Sequence, residues 1–542
     1  MLNWDRDRSP SVGDVIFVNG HVLTGELESS GATGVAIRVG KVAAVGSDAD
    51  VLAWRAPGVE VVDLAGRTVA PGMNDAHCHP LYTGAAMHNI DAGTPPNRTV
   101  ADIVGKIAER ARNTPAGAWV QARGYDQARL DDQRHPTRHD LDPVSPDNPV
   151  VVVRACGHIG VANSRALALA GISAATADPP GGTIDRDEHG EPTGVLREAA
   201  LQMVQSQIPP LTVEQMKELL LLAGEDFLSK GVTSWAEAGV RTPEHMRAYI
   251  ELRNEGRLPL RTYLMMMIDE TLDHLISLGI KTGFGDEWLR IGPAKFFIDG
   301  SIGGRTARMS QPYVGEESNL GLWMDDDLDA VKARFIKAHN AGFQCCAHAI
   351  GDAAISLLLD AYEDALAETP RADHRHRIEH CSIIDYDLVQ RIQRVGAVPI
   401  PGTTFLYAFK DAYLQNLGRD RIRYAYGMNT FYEHGIVAAA STDAPVVDTS
   451  AVIGLQTMMT RRAEDGDIIW ADEAVSLNEA VRAYTWNGAY ASFEEDIKGS
   501  FAPGKLGDAV VFETNLSQVD PGEVGSVKVD MTVADGRVVY TR

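Results

Sequence analysis

Two histidines one residue apart close the stretch Val69-Ala-Pro-Gly-Met-Asn-Asp-Ala-His77-Cys-His79. On a β-strand, side chains alternate between faces, so residues i and i+2 point the same way. His77 and His79 then project together from the end of a short strand, with Asp75 in the same row. Two imidazoles and a carboxylate on one side are ligands for a divalent metal. An isolated His-x-His is equally a pair of surface histidines in a turn, so the reading needs partners elsewhere. They follow downstream, in or at the end of predicted strands: Lys295 inside the apolar run Gly-Pro-Ala-Lys-Phe-Phe-Ile-Asp299, His348 in Cys-Ala-His-Ala-Ile-Gly-Asp352, Glu379-His380 in Arg-Ile-Glu-His, and Asp443 in Ala-Ser-Thr-Asp-Ala-Pro. A strand-end aspartate is also a common helix N-cap. Four histidines, a lysine and an aspartate recurring in this way form a metal-centre pattern.

Lysine is the unexpected member, because an ammonium repels a cation. Burial lowers its pKa and favours the neutral, nucleophilic amine. A neutral amine can take up carbon dioxide to become a carbamate, an anionic two-oxygen ligand able to bridge two metals. The alternative is a structural salt bridge from Lys295 to Asp299 or Glu379.

The elements that must position these groups divide the chain. Residues 14–68 read as short strands broken by glycine turns, with an Asn19-Gly20 hairpin signal and further turns at Gly40-Lys41 and Ala65-Gly66. The far C-terminus, around Asp508–Phe512 and Met531–Tyr540, has the same texture. Both ends are β, so the expected plan is a small β-sandwich domain built from 1–68 and 499–542, with a main domain at 69–498 between them. Within that domain, strands at Val232–Ala236, Arg261–Met267, Ile291–Ile298, Gln344–His348, Arg377–His380, Ala397–Pro401 and Val437–Ser441 alternate with helical patterns. With the His77/His79 strand they make eight, the number that closes an α/β (β/α)8 barrel of the TIM type, whose chemistry sits at the C-terminal strand ends. Residues from about 82 to 225 are then an α/β insertion after the first barrel strand. It holds a helix at Ala101–Ala111, strands at Trp119–Gly124 and Pro149–Ala155, and a Gly/Pro/Asp-rich loop, Asp178–Gly190, that lines or covers a site.

Composition narrows the partners. The 542-residue chain is 44% hydrophobic, ordinary for a globular protein, and its formal net charge of -24 argues against nucleic acid or an anionic membrane surface. No apolar run reaches the roughly 20 residues that span a bilayer. The opening Met1-Leu-Asn-Trp-Asp-Arg-Asp-Arg-Ser-Pro lacks the apolar core of a signal peptide, so a cytoplasmic location is expected. Five cysteines, Cys78, Cys156, Cys345, Cys346 and Cys381, show no C-x-x-C spacing, which suits reduced, buried thiols rather than disulfides or a thiolate metal site.

The sequence resembles the amidohydrolase superfamily, within it the amidohydrolase-3 or YtcJ-like branch that includes N-substituted formamide deformylases. The matching stretches are Pro71–His79, Gly124-Tyr-Asp-Gln127, Gly157–Leu167, Glu191–Glu198, Lys295–Ala307, His348–Asp352, Ile378–His380, Ser441–Pro445 and Gly499–Asp508, nearly the whole chain. The resemblance implies that His77, His79 and Asp443 hold one divalent metal, expected to be zinc, and that His348 and His380 hold the other. Lys295 would bridge them as a CO2-derived carbamate. The family varies between one and two metals, and Glu198 is an alternative carboxylate ligand. A homodimer is the assembly that the resemblance suggests.

The implied chemistry is metal-assisted hydrolysis by a metal-activated hydroxide. Asp443 is the candidate general base. His158 is the candidate donor to the oxyanion, with Tyr125 and Arg305 as alternatives; each of the three also has an ordinary structural reading. The substrate would be a small molecule with a non-peptide C–N bond: a linear amide, N-substituted formamide or carbamate. Asp299 and Phe405, the latter with Tyr407 and Phe409, are candidates for the pocket wall. Two other readings stay open: a deaminase or cyclic-amide hydrolase on the same metal frame, against which Lys295 argues, and a non-catalytic scaffold relative.

Overall fold

The computed structural model describes residues 13–27, 31–155 and 157–542. The opening segment and Cys156, both read above, lie outside the described residues. The chain divides into two compact units, one of Met1–Thr83 with Met216–Arg542 and one of Gly84–Gln215.

The first unit contains the parallel strands β1 (Met73–Cys78), β2 (Val232–Val240), β3 (Arg261–Met267), β4 (Leu289–Phe297), β5 (Cys345–Ala349), β6 (Arg377–His380) and β7 (Val398–Ile400). They lie in one sheet in the order β7-β6-β5-β4-β3-β2-β1. Helices such as Pro243–Asn254, Leu328–Asn340 and Asp352–Glu368 return the chain between successive strands. Strands covered on both faces are largely apolar, and β2 and β3 are buried at every residue, the polar Glu237 and Arg261 included.

The eighth strand expected at Val437–Ser441 is not a regular strand. Its backbone still bonds both neighbours. On the β7 side, Ala439 N–H donates to Pro399 O (3.1 Å) and Thr403 N–H to Ser441 O (3.3 Å). On the β1 side, Ala76 N–H donates to Ala440 O (3.2 Å), Asp443 N–H to His77 O (2.8 Å) and His79 N–H to Ala444 O (2.8 Å). Two things thin the ladder: Pro399 has no N–H to give, and the Ala440 N–H turns away to Ala483 O. The segment therefore bridges β7 and β1 without strand geometry.

Both chain ends build two small sheets. Val15–Val18 lies between Gly34–Arg38 and Glu60–Asp63; Thr68–Pro71 lies between His21–Val22 and Ala509–Phe512, which continues to Val529–Ala534 and Arg537–Thr541. Val15, Phe17, Ile37, Val69, Val511 and Val533 share one buried cluster, so the two ends make a common core. Asn19-Gly20 is not a hairpin turn, because the strands flanking it enter different sheets. Asn19, at φ +53°, makes a corner there, and its side-chain amide donates to Asp63 Oδ1 at 2.8 Å.

The second unit is a six-stranded sheet whose core includes Ile103 and Ile107 of the helix Val100–Arg112. Asp178–Gly190, expected as loop, contains the strand Gly182–Arg186, antiparallel to Pro192–Glu198. Ile184 opposite Leu196 buries both, and that pairing outweighs the turn-forming residues around it. Among the described residues no helix is long and apolar enough to cross a membrane.

Beneath the N-terminal ends of β5 and β6 lie three buried histidines whose protons can be assigned. A backbone N–H only donates. Cys345 N–H reaches His376 Nδ1 at 3.0 Å, so His376 carries its proton on Nε2 and gives it to His339 Nδ1 at 2.8 Å. His339 then donates through Nε2 to Thr369 O (2.7 Å). His376 N–H bonds His374 Nδ1 (2.9 Å), and His374 Nε2 donates to Val395 O (2.8 Å). Every ring nitrogen is used with all three rings neutral. Burial, then the neighbouring imidazoles and Arg371, push the pKa of His376 far below its ordinary value; burial also lowers His339 and His374. Groups with depressed pKa values leave the unfolded chain binding more protons as pH falls below about 6.5, so their contribution is complete above that value and lost toward acid. Thermal or urea unfolding at pH 7.5 and 5.5 should show this loss, and His376→Gln should flatten the pH slope by up to about 1.4 kcal/mol per pH unit. An unchanged slope in the variant would contradict the neutral assignment.

Candidate metal centre

At the C-terminal end of β1, the two histidines of the His-x-His pair are almost fully enclosed. His77 Nδ1 lies 2.5 Å from Glu379 Oε2 on β6. Arg377, two residues earlier on the same strand face, grips that carboxylate with two bonds, Nε to Oε1 at 2.7 Å and Nη2 to Oε2 at 2.8 Å, and donates from Nη2 to Ala76 O at 2.7 Å. Burial works against the Glu379 charge, but Arg377 and His77 outweigh it and hold the carboxyl well below the usual range. A carboxylate only accepts, so the His77 proton sits on Nδ1 and its Nε2 keeps the lone pair.

That lone pair points at an oxygen. His77 Nε2 is 3.4 Å and His79 Nε2 is 3.2 Å from the same atom, Asp443 Oδ1. Asp443 Oδ1 is buried and has no hydrogen-bond partner among the described residues. Ligand atoms of His77, His79 and Asp443 all lie within 4.8 Å of one another. Burial raises the Asp443 pKa, but His77 and His79 outweigh it and the group stays ionised. Burial likewise opposes charge on His79, yet Asp443 and Glu237 lift its pKa to about 9. The pocket draws a cation, and a proton competes with a metal for the same lone pair. His380 and Asp443 take left-handed backbone, φ +68° and +60°, so backbone strain gathers at this centre.

On the other side of the pocket, His348 Nε2 is 2.8 Å from Gly300 O. A carbonyl only accepts, so the His348 lone pair is on Nδ1. Its ring centroid lies 4.4 Å from that of His380, which in turn lies 4.7 Å from that of His77. Burial, followed by Lys295, holds the His348 pKa down to about 4. Lys295 on β4 is fully buried, its Nζ has no hydrogen-bond partner among the described residues, and it sits 5.0 Å over the Phe297 ring. Burial pushes its pKa down against the pull of Glu379. The salt bridge weighed for Lys295 does not form: Glu379 is held by Arg377 and His77, and Asp299 takes backbone N–H groups from Arg308 (2.8 Å), Ile350 (3.0 Å) and Gly351 (2.8 Å). This donor set fits a divalent cation. Imidazole lone pairs and an anionic oxygen meet in a buried space, and unsatisfied buried acceptors are costly.

Other residues singled out in the sequence have different surroundings. Asp75 shares the His77 strand face, but its carboxylate is turned to Thr442, accepting the hydroxyl at 2.5 Å and the N–H at 3.1 Å; it fastens β1 to the closing segment, and burial lifts its pKa to about 6. Asp299 is enclosed with its oxygens spent on loop backbone, and burial raises it to about 7. Arg305 donates to Asn416 Oδ1 at 2.9 Å and pairs with Glu316, holding a loop. Phe405 opens the helix Phe405–Leu417 and stacks on His380, with centroids 5.9 Å apart. Tyr125, His158 and Glu198 belong to the second unit. There Tyr125 OH is 3.0 Å from His135 Nδ1, and the exposed His158 Nδ1 is 3.0 Å from Glu198 Oε2. Sequence reading missed Arg377 and Glu237. The expected β2 ended at Ala236, one residue short of Glu237; a carboxylate inside an apolar run was the signal, the same one that singled out Lys295.

The sequence profile of the amidohydrolase family matches residues 60–540. The YtcJ protein of Bacillus subtilis is 29% identical over 90% of this chain and 92% of its own. An N-substituted formamide deformylase of Arthrobacter pascens is 30% identical over 98% of each chain. Among solved structures, an uncharacterized metal-dependent hydrolase of Pyrococcus furiosus superposes with a TM-score of 0.77 at 28% identity, covering 94% of this chain and 100% of that one.

Removing one partner of a buried ion pair leaves an uncompensated charge. Arg377→Met should therefore cost about 3–5 kcal/mol of stability in denaturant unfolding, and adding Glu379→Leu should recover part of that loss. Additive losses would show that the pair is not coupled.

Proposed function

The chain belongs to the amidohydrolase family, and from that premise we propose that it is a metal-dependent hydrolase of a non-peptide C–N bond in a linear amide, formamide or carbamate. One observation carries the reading: two imidazole Nε2 atoms converge on one carboxylate oxygen, Asp443 Oδ1, at 3.2 and 3.4 Å. Such a set calls for a cation, which is a proton on His79 or a metal that takes its place. His77, His79 and Asp443 would hold one cation and His348 and His380 a second, with Lys295, as a carbamate, serving both. A divalent metal there supplies Lewis acidity, activating water and polarising a carbonyl.

The chain's own groups supply the rest. Asp443 Oδ1 is turned to the two histidines, which leaves Oδ2 to take the proton of the attacking water and return it to the leaving nitrogen. Lys295, desolvated and without a partner, favours its neutral amine. That nitrogen can bond the carbon of CO2 and release a proton, giving an anionic carbamate in place of a repelling ammonium. The Arthrobacter relative's activity supports a formamide-type substrate, and Phe405 stacked on His380 supports an apolar group beside the reacting bond.

Metal analysis of the purified protein should find bound zinc, iron or manganese, and a panel of N-formyl, N-acyl and carbamate compounds should yield free amine, together with the carboxylate from the first two and bicarbonate and alcohol from a carbamate. Metal-free protein would instead favour a scaffold role, and ammonia release a deaminase. Asp443→Asn should keep metal but lose about 10²–10⁴-fold in kcat, whereas near-unmodified turnover would remove Asp443 from the base role. Lys295→Ala should lose activity unless a short carboxylic acid is supplied; full activity without it would exclude the carbamate.

A further inference from the structure

We infer that Glu237 is a positioning residue for His79, and that Tyr249 and His245 on the helix Pro243–Asn254 hold it in place; this rests on the metal reading above. Glu237 lies on β2 opposite Cys78, the residue between the two histidines, and is wholly enclosed. A carboxylate so buried is costly unless paired and hydrogen-bonded. One of its oxygens is provided for: Tyr249 OH donates to Oε2 at 2.9 Å, and His245 Nε2 lies 3.3 Å from the same atom. The other oxygen is not. Among the described residues Oε1 has no hydrogen-bond partner, and it faces His79 Nδ1 at 3.8 Å, a nitrogen that is also buried and also lacks a partner there.

Two complementary orphans facing one another define the role. At 3.8 Å they are short of a hydrogen bond, and a shift of under about 1 Å closes the gap. With its proton directed at Oε1, His79 keeps the lone pair on Nε2, the nitrogen already turned to Asp443. Without that acceptor nothing fixes the tautomer or the ring. The support continues outward. His245 and Tyr249 stand one turn apart on the same helix face, rings 5.5 Å apart, and Thr242 Oγ1 accepts the His245 N–H at 3.1 Å to seat the first turn. His77 has an equivalent arrangement in Glu379 and Arg377. Each histidine of the pair thus has a carboxylate behind it, and each carboxylate has its own donors.

The test uses the full chain stripped of metal and titrated with Zn2+ against a chromophoric chelator, with thermal unfolding measured alongside. Glu237→Gln keeps the volume and removes the charge, and it should bind Zn2+ about 10-fold more weakly; Tyr249→Phe should shift affinity the same way by a smaller factor. The visible spectrum of Co2+-loaded Glu237→Gln should also differ from that of the unmodified protein, as the ligand field at His79 changes. Variants that lose thermal stability but bind Zn2+ within about twofold of the unmodified protein would overturn the inference and leave Glu237 a fold residue. If the unmodified chain itself binds no Zn2+, the metal reading falls first, a separate outcome.

Discussion

Two imidazole nitrogens and a carboxylate oxygen crowd one spot only when groups behind them hold them there. Here His77 Nε2 and His79 Nε2 are held against Asp443 Oδ1. His77 is pressed by Glu379, Glu379 is gripped by Arg377, and Arg377 reaches back to the Ala76 carbonyl beside the histidine it supports. This loop of bonds ties β6 to β1, strands that are not neighbours in the sheet, so the barrel interior is cross-braced by the same charges that set the histidine tautomer. The closing segment does similar work. Asp443 N–H bonds His77 O, and Asp75 bonds Thr442, so the segment carrying the Asp443 carboxylate is sewn to the strand that carries the two histidines.

How much of this is legible in the sequence depends on range. The strands are, because parallel strands covered on both faces must be apolar and the helices between them have their own period. The ligand candidates are, because a polar residue ending an apolar run is conspicuous. Ligand atoms of His77, His79 and Asp443 come within 4.8 Å of one another, and the His380 and His348 rings follow from His77 at 4.7 and 4.4 Å; Lys295 is buried on β4. The supporting bonds are not legible. Glu379 reads as a strand residue until its partner is known, and that partner is 302 residues away. Asn19-Gly20 fails for a related reason: a turn signal reports local backbone, and only the tertiary pairing decides whether the flanking strands join each other or different sheets. The eighth strand fails because Val437–Ser441 has the composition of a strand, while Pro399 opposite it lacks the donor that a ladder needs.

Two clusters of buried histidines make the contrast between structure and chemistry plain. At the N-terminal ends of the strands, His339, His374 and His376 fill every ring nitrogen with a partner whose role is fixed, and the three rings are neutral. Burial can be satisfied there, and nothing is left over for a ligand. At the C-terminal ends the bonds do not close. Asp443 Oδ1, His380 Nδ1, His79 Nδ1, Glu237 Oε1 and Lys295 Nζ are all buried without hydrogen-bond partners among the described residues. A chain that can satisfy three histidines to the last nitrogen at one end of its barrel is not short of donors and acceptors. Unpartnered imidazole nitrogens and carboxylate oxygens gathered in this way have the chemistry that a cation satisfies.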